Sequence, residues 1–520
     1  MSISLATRDR GRASAALSGD NDILDFGLAI LSGALLALSF PRYGHPAFAW
    51  IALVPLLITL RRDQPTLRAF YLGLTAGLLY FIGTIYWTGT VVRQFGGLAT
   101  PVALLAMLLL AAYLALYPAL AALVTARIVR QVGARGLLVM PAAWVTTEFA
   151  RGYLFGGFPW VPLGNSQVTV VPVAQLASLF GVYGLSALVA FVNAALACAA
   201  LSRGRQRAAV VAATVLLLAG VGGWGAWRVA DGALTRQGEP LRVGLIQGNI
   251  AQEDKWNPRE ARRIFTTYIA MTRDAVRRGA ELVIWPESST PFMFEEDEIG
   301  GESLRALARE VRVPILFGSD QVDRSGETLR LYNAAFLVTP TGETAAVYRK
   351  MHLVPFGEYI PGKQLLYFVS PLVERLAEFA PGASMVVLPV GDHKINTAIC
   401  YEVVYPSLIR EAVADGSQLL TTITNDAWYG QSSAPYQHFA LASMRAIEQG
   451  RYLARAANTG ISGVVDPYGR IVRQSAIFEQ AGLVENVRIL TTRTIYSRIG
   501  DVVAYLAMVV TAAALLMLRR

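Results

Sequence analysis

Val283-Ile-Trp-Pro-Glu287 is a short apolar run that a proline interrupts directly before a carboxylate. The pattern predicts a buried strand that ends at the proline and leaves Glu287 at the C-terminal edge of a sheet. Two other predicted strands end in a reactive side chain, one at Lys350 and one at Cys400. Because sites in α/β sheets form beyond the carboxyl ends of strands, we expect these three side chains to share one site.

The region around these strand ends, residues 230–490, is rich in Arg, Asp and Glu and has the composition of a soluble domain. Asn257-Pro-Arg-Glu260 predicts the start of a helix that runs to about residue 278, with Asn257 as the N-cap. Alternating strands and helices indicate a layered α/β domain. The predicted strands are 241–250, 281–285, 313–318, 331–338, 344–349, 394–400, 418–424 and 461–465, with further helices near 404–414 and 436–449.

Long apolar runs fill residues 24–229, and another follows the polar domain. The chain is 54% hydrophobic and 16% charged, whereas about a quarter of the residues of a soluble chain are charged. We expect a polytopic α-helical membrane bundle of about eight spans, since a span needs about 20 apolar residues. Residues 1–229 would hold seven spans, 230–490 an extramembrane catalytic domain and 491–520 a last helix. The predicted spans are 23–40, 46–60, 69–92, 100–126, 137–150, 172–201, 208–229 and 502–518.

Arginines in the connectors predict the orientation of this bundle. Three arginines follow each of the second, fourth and sixth spans, whereas the other short connectors hold one each. Basic residues mark the cytoplasmic side, so the N-terminus is expected inside and residues 230–500 outside. The same arginines account for much of the net charge of +9. No basic run interleaved with aromatic residues indicates nucleic-acid binding.

The two cysteines lie in different surroundings. Cys198 is part of an apolar run, where a thiol behaves as a small apolar side chain, so no disulfide scaffold is expected. Cys400 can be a nucleophile if a base takes its proton and a cation stabilises the developing charge. Glu287 and Lys350 are the candidates for these two roles. A Cys–His dyad with His352, two residues from Lys350, is the alternative.

Four motifs in a fixed order carry a family resemblance. They are Trp285-Pro-Glu-Ser288, Arg349-Lys-Met-His-Leu-Val-Pro-Phe-Gly-Glu-Tyr-Ile-Pro361, Ile399-Cys-Tyr-Glu402 and Thr424-Asn-Asp-Ala-Trp-Tyr-Gly430. Together they resemble the nitrilase superfamily over about residues 241–475, which implies an αββα sandwich. With its flanking spans, the whole chain resembles the bacterial apolipoprotein N-acyltransferase family.

The resemblance implies acyl transfer in two steps. Cys400 would attack an acyl ester of a phospholipid, while Glu287 takes the thiol proton and Lys350 stabilises the oxyanion. The resulting thioester would then acylate the α-amine of a diacylglyceryl-cysteine on an apolipoprotein. The implied location is the bacterial inner membrane, with the catalytic domain on the periplasmic side. No metal or soluble cofactor is implied, since the sequence shows no ligand cluster.

The resemblance also implies supporting roles for four further residues. Glu358 is expected to act as a second acid/base or positioning group. Tyr401 and Glu402 are expected to shape the site beside the nucleophile. Trp256 matches a tryptophan that lies near the substrate in the family.

Two other functions remain as alternatives. One is a membrane-tethered nitrilase-type amidase that acts on a soluble amide, although a tether needs only one span. The other is a transporter with a sensor domain, although transporters place ionisable groups within their spans and few occur here. The exception is Glu148, which we expect to form an interfacial ion pair with Arg151.

The segment 359–382 carries many apolar residues between two strands of the polar domain, among them Leu365-Leu-Tyr-Phe-Val369. An exposed apolar patch of this kind usually has a partner. We predict a mobile arm that dips into the outer leaflet over the entrance to Cys400. Packing of this segment on its own domain is the alternative.

Overall fold

The computed structural model describes residues 22–60, 65–326, 329–359 and 378–517. Most of the predicted membrane arm at 359–382 lies outside the described residues, so that arm stays a prediction. The division of the chain at residues 229/230 and 490/491 also stays a prediction.

Apolar helices occupy the first part of the described chain, as the composition predicts. By length and composition, four of them could cross a membrane: Thr66–Ile85, Thr100–Arg151, Ala177–Leu201 and Gly204–Thr235. The helices are α1 (22–37), α2 (Val54–Thr59), α3 (Thr66–Ile85), α4 (Trp87–Gln94), α5 (Thr100–Val132), α6 (Met140–Arg151), α7 (Val171–Ala174), α8 (Ala177–Leu201) and α9 (Gly204–Asp231).

The predicted span at 46–60 is a broken and short segment. A 3₁₀ turn at Pro46–Trp50 precedes α2, because prolines at positions 46 and 55 each begin a new helical turn. Asn193 of α8 holds this segment, since its Oδ1 accepts from the Leu53 N–H at 2.8 Å and its Nδ2 donates to the Ala49 carbonyl at 2.8 Å.

The predicted spans at 100–126 and 137–150 become α5 and α6. Gly133, with a φ of 72°, ends α5 as a left-handed C-terminal glycine. A 3₁₀ segment, Gly133–Val139, then leads into α6, whose 12 residues extend only about 18 Å. The structure therefore supports four long membrane helices among the described residues, and the total of eight spans stays a prediction.

The polar domain contains two mixed six-stranded sheets. The first has the order β12-β1-β2-β3-β4-β5 and the second the order β11-β10-β9-β8-β7-β6. In the first, the pairs β1–β2 and β2–β3 are parallel; in the second, β7–β8 and β8–β9 are parallel. The strands are β1 (Glu239–Gln247), β2 (Leu282–Ile284), β3 (Ile315–Asp323), β4 (Arg330–Val338), β5 (Thr344–Arg349), β6 (Leu388–Val390), β7 (His393–Ile399), β8 (Leu419–Thr424), β9 (Leu453–Ala457), β10 (Gly463–Val465), β11 (Ile471–Gln474) and β12 (Ala481–Ile489).

Residues of the first sheet point alternately to the two adjoining layers. Leu245 of β1 shares a core with Ile395 of the second sheet, whereas its neighbour Ile246 packs with Ile264 and Tyr268 of a helix on the outer face. This alternation follows from the two-residue period of a strand. It places helices outside and the two sheets face to face.

Helices cover both outer faces of the paired sheets. They are α10 (Ala261–Arg277), α11 (Glu298–Val311), α12 (Pro406–Ala414) and α13 (Ala434–Gln449). Two further helices follow along the chain, α14 (Ile495–Ile499) and α15 (Val502–Met517). The predicted start of α10 at Asn257 is wrong by about one turn. Asn257 Oδ1 accepts from the Arg259 N–H at 3.1 Å and so closes a preceding turn.

Candidate active site

Two carboxylates share one ammonium and one amide at the edge of the first sheet. Glu287 follows β2, and its Oε1 accepts from Lys350 Nζ at 3.4 Å and from Asn333 Nδ2 at 2.7 Å. Glu358 Oε1 accepts from the same two donors, at 2.9 Å and 2.8 Å. The four side chains form a closed ring, which fixes the position of the carboxylate of Glu287.

The other oxygen of each carboxylate binds the backbone. Glu287 Oε2 accepts from the N–H of Asn425, which follows β8 in the second sheet, at 2.9 Å. Glu358 Oε2 accepts from the N–H of Val354 at 2.8 Å and so closes the loop after Lys350. Both sheets therefore contribute to the orientation of Glu287.

Glu287 is deprotonated and Lys350 is protonated at neutral pH. Burial alone would raise the pKa of Glu287, but Lys350, Lys255 and the bond from Asn333 lower it below its ordinary value. Burial alone would lower the pKa of Lys350, but Glu358 and Glu287 raise it well above its ordinary value. At neutral pH the carboxylate can therefore accept a proton, while the ammonium keeps its own.

Cys400 follows β7 directly and begins a 3₁₀ turn, Cys400–Val404. Its φ of 53° is left-handed, a conformation that costs a non-glycine residue about 1–2 kcal/mol. Burial and the charge of Glu287 raise the pKa of the thiol, although Lys350 lowers it in part. The thiol is therefore protonated at rest, and a base must take its proton during attack.

Glu402 connects the Lys350 segment to Cys400. Its Oε1 accepts from the Tyr348 hydroxyl at 2.8 Å, and its Oε2 accepts from the Ile399 N–H at 2.8 Å. Burial raises the pKa of Glu402 to about 7. Because Lys350 and Cys400 extend from different sheets, these bonds fix the spacing of the two groups.

Tyr401 faces the membrane bundle. Its ring stacks on Trp160 with centroids 6.4 Å apart and planes at 17°, and its hydroxyl donates to the Gly157 carbonyl at 3.4 Å. The hydroxyl of Tyr405 reaches the same carbonyl at 3.3 Å. The loop between α6 and α7 therefore packs on the turn that carries the nucleophile.

Two buried charged side chains of α6 hold this loop. Arg151 Nη1 donates to the Trp160 carbonyl at 2.7 Å, and Glu148 Oε1 accepts from the Leu163 N–H at 2.7 Å. Both side chains are buried inside the protein rather than at an exposed interface. The sequence predicted an ion pair between Glu148 and Arg151 at the membrane interface. This prediction is wrong, because both side chains are buried and each bonds to the backbone of the loop.

His438 contacts the backbone carbonyl of Cys400. Its Nε2 lies 3.1 Å from the Cys400 carbonyl oxygen, and its Nδ1 lies 3.0 Å from Arg455 Nη2 and 3.0 Å from Asp426 Oδ1. Burial and the charge of Arg455 lower the pKa of His438, so the ring is neutral. A nitrogen that faces a carbonyl must carry the proton, so Nε2 donates to the Cys400 carbonyl, whereas Nδ1 lies between a donor, Arg455 Nη2, and an acceptor, Asp426 Oδ1.

This arrangement weighs against a Cys–His dyad. The proton of Nε2 is already on the ring and points at the carbonyl of Cys400, so that nitrogen cannot accept the thiol proton. The ring of His352, the histidine that the sequence offered for a dyad, packs on the Tyr405 ring with centroids 4.4 Å apart.

Cys400, Asp426 and His438 bring one ligand atom each within 4.8 Å of one another, as a metal site requires. The donors do not fit a cation, however. Both ring nitrogens of His438 are bonded, and Arg455 Nη2 donates to Asp426 Oδ2 at 2.9 Å. The guanidinium already neutralises the carboxylate and would repel a metal ion at this position.

Trp256 lies at the surface of the protein, whereas its neighbour Lys255 is buried. Trp256 is 46% exposed in the loop between β1 and α10. Lys255 is buried, and its Nζ donates to the backbone carbonyl of Glu287 at 3.0 Å.

Both parts of the chain match known families. Residues 32–195 match the apolipoprotein N-acyltransferase N-terminal domain, and residues 242–492 match the carbon-nitrogen hydrolase family. An apolipoprotein N-acyltransferase of Geobacter metallireducens is 41% identical over 494 residues, which cover 92% of either chain. The chain belongs to the apolipoprotein N-acyltransferase family.

Other members of the apolipoprotein N-acyltransferase family show a similar match. The protein of Methylococcus capsulatus is 36% identical over 481 residues, covering 91% of this chain and 92% of its own. Among solved structures, an amidase from Nesterenkonia sp. is 24% identical, covers 49% of this chain and 93% of its own, and superposes with a TM-score of 0.38.

Within the candidate site, the sequence did not predict Asn333, Asn425, Asp426, His438 and Arg455. Asn425 and Asp426 lie inside a quoted motif, but no local feature assigns them a partner. Asn333 lies in the middle of β4, where a buried polar residue in an apolar run was the available signal. His438 and Arg455 gave no signal beyond their residue type.

We expect His438→Leu to slow acylation of Cys400 by about tenfold, the effect of losing one buried hydrogen bond to the strained turn. His438→Gln should recover much of the rate, because its amide can still donate to the Cys400 carbonyl. Stopped-flow or quench measurements of labelled acyl transfer to the enzyme test this. Equal and complete loss in both variants would instead indicate that the imidazole acts as a base.

Proposed function

We propose that this protein transfers an acyl chain from a phospholipid, through a thioester on Cys400, to the α-amine of the diacylglyceryl-cysteine of apolipoproteins. This would complete lipoprotein maturation. The name of its relatives, apolipoprotein N-acyltransferase, supports the acceptor and the type of reaction. The membrane helices support a lipid donor.

One structural observation carries the proposal. The residues next to the nucleophile, Tyr401 and Tyr405, bond to the loop that α6 of the membrane bundle holds in place. A catalytic domain that was only tethered would have no reason to seat its nucleophile on the bundle. This contact favours a substrate that lies in the bilayer.

In the first half-reaction, Cys400 Sγ attacks the ester carbonyl of the phospholipid as Glu287 takes the thiol proton. Lys350, which stays charged, stabilises the oxyanion of the tetrahedral intermediate. The C–O bond then breaks, and Glu287 returns the proton to the alkoxide of the leaving lysophospholipid. The products are a thioester on Cys400 and a lysophospholipid.

In the second half-reaction, the neutral α-amine of the lipoprotein attacks the thioester carbonyl. A C–N bond forms, the C–S bond breaks, and Glu287 carries a proton from the nitrogen to the sulfur. Lys350 stabilises the second oxyanion in the same way. Glu358 and Glu402 act as positioning groups, because one orients Lys350 and the other connects Lys350 to Cys400.

The proposed location is the bacterial inner membrane, with the catalytic domain on the periplasmic side. Its support is the distribution of arginines in the connectors, which assigns the N-terminus to the cytoplasm. Both proposed substrates are amphiphiles that a bilayer presents at its surface.

The test is a pulse–chase experiment on the full-length protein in liposomes that contain phospholipid with a labelled acyl chain. We expect label to appear on the protein without acceptor, and to move to an amide when a diacylglyceryl lipopeptide is added. Cys400→Ala serves as the unlabelled control.

The alternative of a tethered amidase predicts the opposite pattern. Such an enzyme would release ammonia from small soluble amides and would take no label from phospholipid. That result would overturn the proposed function.

A further inference from the structure

Gly318 is a buried glycine of β3 that lies against the backbone of Glu287. A Cβ atom at residue 318 would lie 2.7 Å from the Cα and 2.9 Å from the carbonyl carbon of Glu287, and closer still to the Ser288 nitrogen. Carbon atoms in contact are about 3.5–4.0 Å apart. The backbone after β2 can therefore approach β3 this closely only because residue 318 has no side chain. The proposed reaction steps do not involve this residue.

The turn after β2 is bonded to β3 on both sides of this contact. The Gly318 N–H donates to the Pro286 carbonyl at 3.1 Å, and the Gly318 carbonyl accepts from the Ser289 N–H at 2.8 Å. Glu287 lies between these two attachments. The next residue, Ser288, has a left-handed φ of 40°, so the turn has little freedom to bend further. The position of the Glu287 backbone is thus set by β3.

β3 itself cannot move away from the turn. It pairs with β4 along its whole length, Ile315–Asp323, and with β2 on its other side. Residues 315–321 are all buried. A displacement of the strand would break this ladder, whereas the turn is held by fewer bonds. A side chain at residue 318 would therefore displace the turn, and Glu287 with it, by about 1 Å.

The bonds of the Glu287 carboxylate depend on this backbone position. Its Oε1 is 2.7 Å from Asn333 Nδ2 and 3.4 Å from Lys350 Nζ. Its Oε2 is 2.9 Å from the nitrogen of Asn425. These donors lie on β4, after β5 and on the other sheet, so none of them follows the turn. Because N–H···O bonds extend to only about 3.2 Å, a backbone shift of about 1 Å would take the carboxylate out of this geometry.

We propose that Gly318 is a positioning residue for the first half-reaction, because its missing side chain lets the turn after β2 rest on β3 and so holds Glu287 where it can take the Cys400 proton. This inference rests on the proposed function and deepens it, since it concerns the same proton transfer. Gly318 acts through the backbone of Glu287 rather than on the substrate.

The test is Gly318→Ala in the full-length protein, in micelles with a varied mole fraction of acyl-labelled phospholipid. We expect the rate constant of acylation at saturating donor to fall by about a hundredfold, the effect of displacing a reacting group by about 1 Å. The donor fraction at half saturation should stay within about threefold of wild type, because the substitution lies beneath Glu287 and not on a surface that lipid contacts.

Gly482→Ala is the matched control, at a glycine of β12 in the same sheet. Apart from its neighbours in the chain, a Cβ atom there would have Arg278 Nη1 as its nearest atom, at 3.8 Å, which is an ordinary contact. Neither glycine has a positive φ, so alanine strains the backbone at neither position. For Gly482→Ala we expect acylation within about twofold of wild type.

The pH dependence separates positioning from a loss of stability. Burial alone would raise the pKa of Glu287, but Lys350 and the bond from Asn333 help to keep it below its ordinary value. A displaced carboxylate loses part of this stabilisation, so its pKa rises. Acylation by Gly318→Ala should therefore begin to fail at a higher pH than in wild type. The folded fraction of a merely destabilised enzyme would keep the wild-type profile.

A second variant, Gly318→Ala with Ser288→Gly, keeps the test decisive if the single variant unfolds. Glycine at residue 288 tolerates backbone angles that serine disfavours, so the turn can move with less strain and the unfolding temperature should return toward that of wild type. The Cβ atom at residue 318 still occupies the space of the turn, so acylation should stay low.

Three outcomes would overturn the inference: wild-type acylation by Gly318→Ala, an unchanged pH profile, or recovery of acylation together with stability in the double variant. Failure of the proposed function is distinct from these outcomes, because the wild-type protein itself would then take no label from phospholipid.

Discussion

Cys400→Ser is expected to lose acyl transfer from phospholipid by at least about a thousandfold. A serine hydroxyl is far less acidic than a thiol, and the surroundings of Cys400 already oppose its ionisation. Glu287 cannot compensate, because its own lowered pKa makes it a weak base toward a hydroxyl. The measurement is label on the protein after incubation with acyl-labelled phospholipid in liposomes.

Cys198→Ser is the matched control, since it makes the same chemical change in the bundle. Cys198 lies buried in α8, and its Sγ is 3.9 Å from the Ser202 hydroxyl. A serine can make the same contact, so wild-type labelling is expected. Efficient labelling of Cys400→Ser, or loss of labelling in Cys198→Ser, would mean that Cys400 is not the nucleophile.

The three reactive strand ends could be located from the sequence because their signal is local. An apolar run that stops at a polar side chain marks both a buried strand and the edge where that side chain emerges. Val283-Ile-Trp-Pro-Glu287 and the run before Cys400 have this form, and the structure places β2 and β7 there. The shared position of these residues was an inference from sheet geometry rather than from any single motif.

The partners of these residues could not be predicted, because they are set by packing between the sheets. Asn425 follows β8, yet its N–H binds Glu287 beyond β2 of the other sheet, 138 positions away. Arg455, Asp426 and His438 come from a strand, a turn and a helix. No spacing along the chain relates such residues, so only the folded arrangement assigns their bonds.

Strands β9 and β12 were not predicted from the sequence, for a related reason. β12 pairs with β1 along nine residues, but its buried and half-exposed positions do not alternate cleanly. β9 is short and fully buried, so its sequence lacks the exposed polar side that reveals a strand. The short length of helix α2 could not be predicted for the same reason. Hydrogen bonds from the side chain of Asn193, in another helix, hold this segment, which is too short to cross a membrane by itself.

Lys350→Arg is expected to lower acylation by about a hundred- to a thousandfold, although the charge is kept. Lys350 is 1% exposed, and its Nζ lies between Glu287 Oε1 and Glu358 Oε1. A planar guanidinium is larger and directs its donors in a fixed fork, so it cannot occupy this point without displacing a carboxylate. Removing one donor from an oxyanion site usually costs about 3–4 kcal/mol, which gives this magnitude.

Arg349→Lys tests the neighbouring position with the reverse change. Arg349 is half-buried and binds Gln321 and Asp323 away from the site, so we expect acylation within about threefold of wild type. If Lys350→Arg also stayed within that range, Lys350 would not stabilise the oxyanion.

Glu287→Gln provides the decisive comparison with Lys350→Arg. The amide can still bond to Asn425 but cannot accept the thiol proton, so a loss of similar size is expected. Groups that act in one step are not additive, because the first loss already removes the step to which the second contributes. The double variant should therefore be little slower than the slower single variant in the same acylation assay. Multiplied losses would show that Glu287 and Lys350 act independently, and would contradict a mechanism in which proton removal and oxyanion stabilisation occur together at Cys400.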